Sequence, residues 1–422
     1  MRILWLSASS GLLNKRDGNR YNGGGWISSL QRIVEQENAM LALAYPSRTH
    51  RQQETLQGTT YYPIYMPSLS PLQKLKYYYG GYKRKETAEC VDQLLSVIKD
   101  FQPDIIHLFG LESQFACILG KTDKPVVVHL QGLLSPYSNA FFPPGFNRWS
   151  FLFPLSVNEW VLRNGFIFAH RDISFRGRRE LELFRKMDFA MGRTAWDRQL
   201  CELLAPQAGY FHVDEVLRPS FYNNAATWKP TSGSFVITST ISQTVYKGLD
   251  LILKTAQLLH DLHINTEWHV VGISQQSRMV KHFERCCHVK SRDVGIMYHG
   301  VMNEEELTSL LLRSSVYVHP SYIDNSPNSL CEAQMLGLPV IATNVGGVPT
   351  LISNGETGFL VPANAPYELA YLIKQLQQSQ DLQTTIARKG AAAAALRHDR
   401  DTIAKALLST YETIVTEWKQ KQ

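Results

Sequence analysis

The chain has 422 residues, 44% of them hydrophobic and 19% charged, with a formal net charge of +6. That length exceeds one ordinary core and points to two domains, while the composition excludes a disordered or membrane-embedded chain. So mild a basic excess fits a protein that meets phosphate or an anionic surface, and equally one that meets neither; nucleic acid is not expected as a partner.

In chain order, MRILWLSASSG at the start is too brief an apolar run for a signal peptide and reads as a first buried strand. No stretch approaches the roughly 18 uninterrupted apolar residues of a membrane span, so a cytosolic protein is expected. NRYNGGGWISSL (19–30) follows, its glycines, Gly24 and Gly25 among them, standing ahead of an amphipathic helix. It lacks the G-x-G-x-x-G spacing of dinucleotide folds. Strands are expected at AMLALAY (39–45), DIIHLF (104–109), PVVVHL (125–130) and MDFAMG (187–192), with helices near 24–36, 85–101, 112–120 and 194–204. Two segments escape this alternation: LQKLKYYYGGYKRK (72–85), with five basic residues among tyrosines, and the aromatic, proline-broken stretch 134–170. The first reads as a solvated face and the second as satellite core; the alternative for 72–85 or 134–153 is peripheral contact with a membrane, at its inner face.

The stretch 215–232 has no clear period and is placed as the linker between a first domain, 1–215, and a second, 216–399. Beyond it, strands SFVITST (234–240), EWHVVGI (267–273), GIMYHG (295–300), VYVH (316–319) and PVIAT (339–343) alternate with helices near 249–260, 275–286, 303–313 and 327–337. The terminal segment 400–422 reads as one more amphipathic helix. The pattern is α/β, two Rossmann-like doubly wound parallel-sheet domains facing a central cleft. Six scattered cysteines (Cys90, Cys117, Cys201, Cys286, Cys287, Cys331) form no C-x-x-C pair, so reduced thiols are expected. The one D-x-D, Asp399-Arg400-Asp401, begins the terminal helix and reads as capping rather than as a metal site. No metal is expected.

IDNSPNSLCEA (323–333) carries the chemistry. Ser326 is placed as N-cap and Pro327 at the first helical position. Asn328, Ser329 and Leu330 then offer backbone N–H groups at the positive end of a helix, a ready site for phosphate. Asp324 lies ahead of that helix and Glu332 inside it; eight positions apart, they suit the two ends of one ligand better than one metal. The plainer alternative is a loop residue and a dipole partner.

The run HPSYIDNSPNSLCEAQMLGLPVIATNVGGVPTLISNGETGFLVP (319–362) resembles the donor-binding signature of the retaining, GT-B-fold glycosyltransferases of family 4. The resemblance implies the GT-B fold and no cofactor beyond a nucleotide diphospho-sugar as co-substrate. It implies that Asp324 contacts the transferred sugar and Glu332 the ribose, with Asp324 in place of the usual Glu and Asn325 in place of the usual Gly. Gly346 and Gly347 would allow close backbone approach. In QTVYKGLDLIL, Lys247 matches the lysine that neutralises the diphosphate, while Ser242 stands where many relatives have Arg; Arg193, in MGRTAWDRQL, is a substitute. His129, at a strand end, matches a residue that contacts sugar or acceptor, and His107 one with a structural role. The implied reaction moves the sugar to a hydroxyl of a glycan or lipid-linked acceptor with retention, as in polysaccharide biosynthesis. A nucleotide-sugar epimerase or phosphorylase on the same fold, or a degenerate partner subunit, is the alternative.

Overall fold

The computed structural model describes residues 1–13, 25–37, 39–49, 51–67, 70, 72, 82–146, 148–151, 165–231 and 233–421. Eight strands make the first sheet: β1 (Arg2–Leu6), β2 (Met40–Ser47), β3 (Glu54–Leu56), β4 (Thr59–Tyr65), β5 (Ile105–Phe109), β6 (Val126–His129), β7 (Phe189–Gly192) and β8 (Gly209–His212). Their order is β3-β4-β2-β1-β5-β6-β7-β8, parallel except for the β3–β4 pair. Short runs rich in Val, Ile and Leu fill the middle of it, and β5 and β6 are buried along their whole length, as a sheet covered on both faces requires.

The second sheet holds β9 (Phe235–Thr240), β10 (Thr266–Val271), β11 (Ile296–Gly300), β12 (Val316–His319), β13 (Val340–Thr343) and β14 (Phe359–Val361). All its pairs are parallel, in the order β11-β10-β9-β12-β13-β14. Strand order reverses between β1 and β5 in one sheet and between β9 and β12 in the other. Such reversals open a crevice at the carboxyl ends of the strands, where ligands of open α/β sheets bind.

Several expectations are corrected. Residues 112–120 hold a short 3-10 turn, Gln114–Ile118, rather than a helix. The stretch 134–170 ends inside a helix, Phe166–Phe184, whose mixed charged and aromatic sequence hides its period. β3 and β4 form an unanticipated hairpin, its turn made by Gln57 and Gly58, both at positive φ; Gln-Gly lacks the Asn or Asp that usually marks such a turn. The aperiodic stretch 215–232 contains a helix, Pro219–Asn223, with Phe221 and Trp228 buried.

The described part of the aromatic segment is core. Phe151 lies 4.4 Å from the ring of His282 and Phe146 5.3 Å from that of Phe283, both on helix Arg278–Cys287 beside the second sheet. Of its described large apolar side chains only Trp149 is exposed. Of the stretch 72–85, residues 73–81 lie outside the described residues, and 82–85 open the helix Tyr82–Phe101. Helix Arg400–Lys421 lays Ile403, Leu407, Tyr411 and Ile414, one face at helical spacing, into the core of the first sheet beside Trp5. Asp399 caps it by accepting from the Thr402 amide at 2.8 Å. Among the described residues no helix is long and apolar enough to cross a membrane.

Candidate functional site

The second sheet's crevice brings together two residues far apart in the chain. After β9 the chain makes a 3-10 turn, Val245–Lys247, and then Gly248 at φ +78°, where an added Cβ would stand 2.0 Å from the Pro320 carbonyl oxygen. Only glycine permits that approach. It sets Lys247 against the loop that follows β12, and its Nζ donates to Asp324 Oδ2 at 2.6 Å. The same oxygen is met by His319 Nε2 at 3.0 Å and Ser321 Oγ at 3.4 Å; Oδ1 accepts from the Asn325 amide at 3.2 Å and the Tyr137 hydroxyl at 3.5 Å. Burial alone would raise the Asp324 carboxyl, yet Lys247 and His319 hold it well below the usual carboxylate range. Burial likewise works against the Lys247 ammonium, and Asp324 outweighs it, so its pKa is raised. The pair is charged.

Gly346, at φ +53°, and Gly347 do serve close approach, and what they approach is the Asp324–Asn325 backbone. A Cβ on Gly346 would lie 2.0 Å from the Asp324 carbonyl oxygen, which accepts from the Gly347 amide at 3.0 Å. The loop carrying Asp324 is thereby clamped from below.

Helix Asn328–Leu336 starts one residue later than expected. Pro327 is its N-cap, without a side-chain cap bond, because the Ser326 hydroxyl is 3.5 Å from Glu215 Oε1 instead. The Leu330 amide is spent on the Pro327 carbonyl at 3.0 Å, which leaves Asn328 and Ser329, both half-buried, as the helix positions with no intrahelical acceptor. The Ser329 hydroxyl accepts from Tyr317 at 2.7 Å. The Asn328 amide, oriented with its nitrogen toward Glu215, donates to that carboxylate.

Two buried acid–arginine pairs flank this helix start. Arg218 grips Glu332 with both arms of its guanidinium, Nε to Oε1 and Nη2 to Oε2, each 2.7 Å. Burial pushes the Glu332 carboxyl up and Arg218 opposes it. Arg193 pairs with Glu215 and donates to the Leu130 carbonyl at 3.3 Å; burial pushes the Glu215 carboxyl up to about 7 against the pull of Arg193. Arg193 therefore reaches a phosphate only by sharing its charge with Glu215.

Asn325 ties the two sheets together. Its amide donates to the Gln131 carbonyl at 2.9 Å and to Asp197 at 2.6 Å, and it accepts from the Thr194 hydroxyl at 2.9 Å. This accounts for a larger side chain than glycine there. Asn325→Gly is expected to cost about 1–3 kcal/mol of stability by leaving buried Asp197 short of a donor, read as a lower melting temperature; an unchanged melt would show that the latch carries no load.

On the first sheet's side, His129 ends β6 with its ring buried, in contact with His107 and Trp26. Gly25 opens helix Gly25–Gln36, and Gly24 lies outside the described residues. The structure thus gathers Lys247, Asp324, Ser326, Pro327, Asn328, Ser329, Leu330 and Glu332 around one helix start, with Arg193 joined to it through Glu215. Sequence reasoning missed Glu215, Arg218, His319 and Tyr137; His319, the last residue of a strand whose end faces the crevice, carried the one usable signal. Among the described residues no group of three His, Cys, Asp or Glu side chains is placed to hold a metal ion.

Residues 228–393 match the family model of glycosyl transferases group 1. A D-inositol 3-phosphate glycosyltransferase of Streptomyces scabiei is 37% identical over 100 residues, 24% of this chain and 22% of that protein. The capsular polysaccharide biosynthesis glycosyltransferase CapM of Staphylococcus aureus is 25% identical over 175 residues, 42% and 45% of the two chains. The matches thus span less than half the length of either relative. Among solved structures, sucrose-phosphate synthase of Thermosynechococcus elongatus superposes with a TM-score of 0.72 at 13% identity, covering 99% of this chain and 100% of that one. Anabaena HepE, in complex with UDP and glucose, gives 0.61 at 16% identity, over 98% and 100%. At these identities the likeness is one of fold, and that fold is GT-B.

Proposed function

We propose that this chain, with a glycosyl transferases group 1 match over residues 228–393 on a GT-B frame, moves a sugar from a nucleotide diphospho-sugar to a hydroxyl of a glycan or lipid-linked acceptor, with retention of configuration. The observation that carries the reading is the Lys247–Asp324 pair at the switch point of the second sheet, beside a helix start. Asp324, kept ionised, accepts from sugar hydroxyls in place of Lys247 once the lysine turns to the diphosphate. Lys247 and the amides of Asn328 and Ser329 meet the negative charge that grows on the departing diphosphate. The leaving phosphate oxygen takes the acceptor proton, so no protein nucleophile is needed. In this reading lysine and helix dipole do the work of a divalent ion, and EDTA leaves turnover unchanged. That HepE was seen with UDP supports UDP-sugars as the first donors to try.

The test is a thermal-shift screen of UDP-, GDP- and ADP-sugars followed by NMR of the product. A donor at a hundred times its Kd adds about 2.7 kcal/mol to native stability, easily seen as a raised melting temperature. Retained anomeric configuration is expected. Inversion at the anomeric carbon, loss of turnover in EDTA, or donor conversion that consumes no acceptor would each overturn the mechanism.

A further inference from the structure

A chain of four buried groups runs from the terminal helix to the carboxyl end of β6. Trp5 Nε1 donates to the Tyr411 hydroxyl at 3.2 Å, that hydroxyl is 2.5 Å from His107 Nδ1, and His107 Nε2 is 3.2 Å from His129 Nδ1. His129 Nε2, at the far end, is buried with no hydrogen-bond partner. Trp26 packs edge-on to the same ring at 5.5 Å.

The direction of the chain follows from counting protons. Both imidazoles are neutral, because burial depresses each: His107 to about 3 and His129 well below the usual histidine value. Trp5 can only donate, so the Tyr411 oxygen is an acceptor on that side. If Tyr411 then donates to His107 Nδ1, His107 carries its proton on Nε2 and passes a hydrogen bond to His129 Nδ1. His129 in turn carries its proton on Nε2. In the opposite direction, the Tyr411 hydroxyl proton and the His129 Nε2 lone pair are both left without partners in the interior. The first arrangement orphans one group and the second orphans two, each costing about 1–3 kcal/mol.

We propose that Tyr411 and His107 are positioning residues which lock His129, at the carboxyl end of β6, in the Nε2–H tautomer, so that its outer ring nitrogen is a hydrogen-bond donor and not a base. Its fitting partner is an oxygen lone pair, which in the glycosyltransferase reading is an oxygen of the donor sugar. That last identification rests on the proposed function; the tautomer does not. A helix that follows the second sheet in sequence thereby sets the protonation state at a strand end of the first, giving its docking a chemical role beyond covering the core.

Imidazole nitrogen NMR on the full chain, with His107 and His129 assigned from single His→Gln variants, tests it. The wild type is expected to show His129 protonated at Nε2, and Tyr411→Phe to show a mixture or the Nδ1–H form, with kcat lowered roughly tenfold, the scale of one hydrogen bond at the reacting centre, and KM unchanged. A purely structural tyrosine would leave the tautomer where it was. Protonation at Nδ1 in the wild type, or the same tautomer in folded Tyr411→Phe, would overturn the proposal; should that variant not fold, the wild-type spectrum alone decides. A wild-type Nε2–H tautomer in a protein that turns over no sugar would uphold the tautomer lock and remove only its assigned ligand.

Discussion

Lys247→Ala is expected to lower kcat/KM by about two to three orders of magnitude, the size seen when one preorganised charge is removed from a developing oxyanion. In the ligand-free chain Lys247 also holds Asp324 at 2.6 Å, and the remaining donors to that oxygen are His319 and Ser321. The variant therefore tests two effects with separate readouts. Loss of diphosphate stabilisation lowers kcat; loss of the counter-ion leaves a buried carboxylate that must be neutralised, and its pKa climbs back toward the ordinary range. Asp324 has a depressed pKa in the folded protein, so its contribution to stability is complete above the unfolded value and is lost as pH falls toward the folded one. Wild type should lose stability below about pH 4 through this group, while Lys247→Ala starts from lower stability and shows a flatter acid limb. Lys247→Met, which keeps the stem without the charge, should behave as Lys247→Ala does. Wild-type kcat in Lys247→Ala would remove the lysine from the mechanism.

The legible part of this protein was the part in which local pattern and global position agree. In the second sheet, short apolar runs of four to six residues are closed by turn residues and followed by amphipathic helices, so strands, helices and the loop carrying Asp324 could be placed from spacing. Lys247, by contrast, is legible only through its match to the lysine-glycine position of the resembled family; a lone lysine ahead of a helix reads as a solvated residue. What local pattern could not show is what these residues touch. Arg218 is separated from Glu332 by 114 positions and sits in a stretch with no period; Glu215, in the same stretch, reads as one more linker acid. Their role arises only when that stretch crosses the start of helix Asn328–Leu336. The first sheet was harder for a different reason: Phe166–Phe184 mixes arginines and aromatics because one face meets the Glu180-capped loop at Leu134 and Ser135. A helix that buries a carboxylate does not advertise an apolar stripe.

The second large effect belongs to that hidden pair. Arg218→Ala is expected to destabilise the chain by about 3–5 kcal/mol, the cost of leaving one member of a buried ion pair alone. Glu332 is almost wholly buried, and burial already raises its carboxyl pKa with Arg218 present. Without the arginine the value rises further, and the sign of the pH dependence follows: an acid whose folded pKa exceeds its unfolded one contributes stability at low pH that is lost as pH rises through the folded value. The deficit of Arg218→Ala should therefore be larger at about pH 8 than at about pH 5. Arg218→Lys should recover only part of it, since an ammonium cannot make both 2.7 Å bonds in one plane. The double variant Arg218→Ala with Glu332→Gln should be more stable than Arg218→Ala alone, because a neutral amide needs no counter-charge. Arg218 uses one lone-pair direction on each Glu332 oxygen and leaves one on each, enough for two vicinal hydroxyls of a ribose. Glu332→Gln alone should then weaken nucleotide binding by roughly tenfold through loss of charge-assisted bonds, with a smaller change in kcat. A nucleotide affinity untouched in Glu332→Gln, together with the full pH-dependent loss in Arg218→Ala, would make the pair a structural pin and move ribose recognition elsewhere in the crevice.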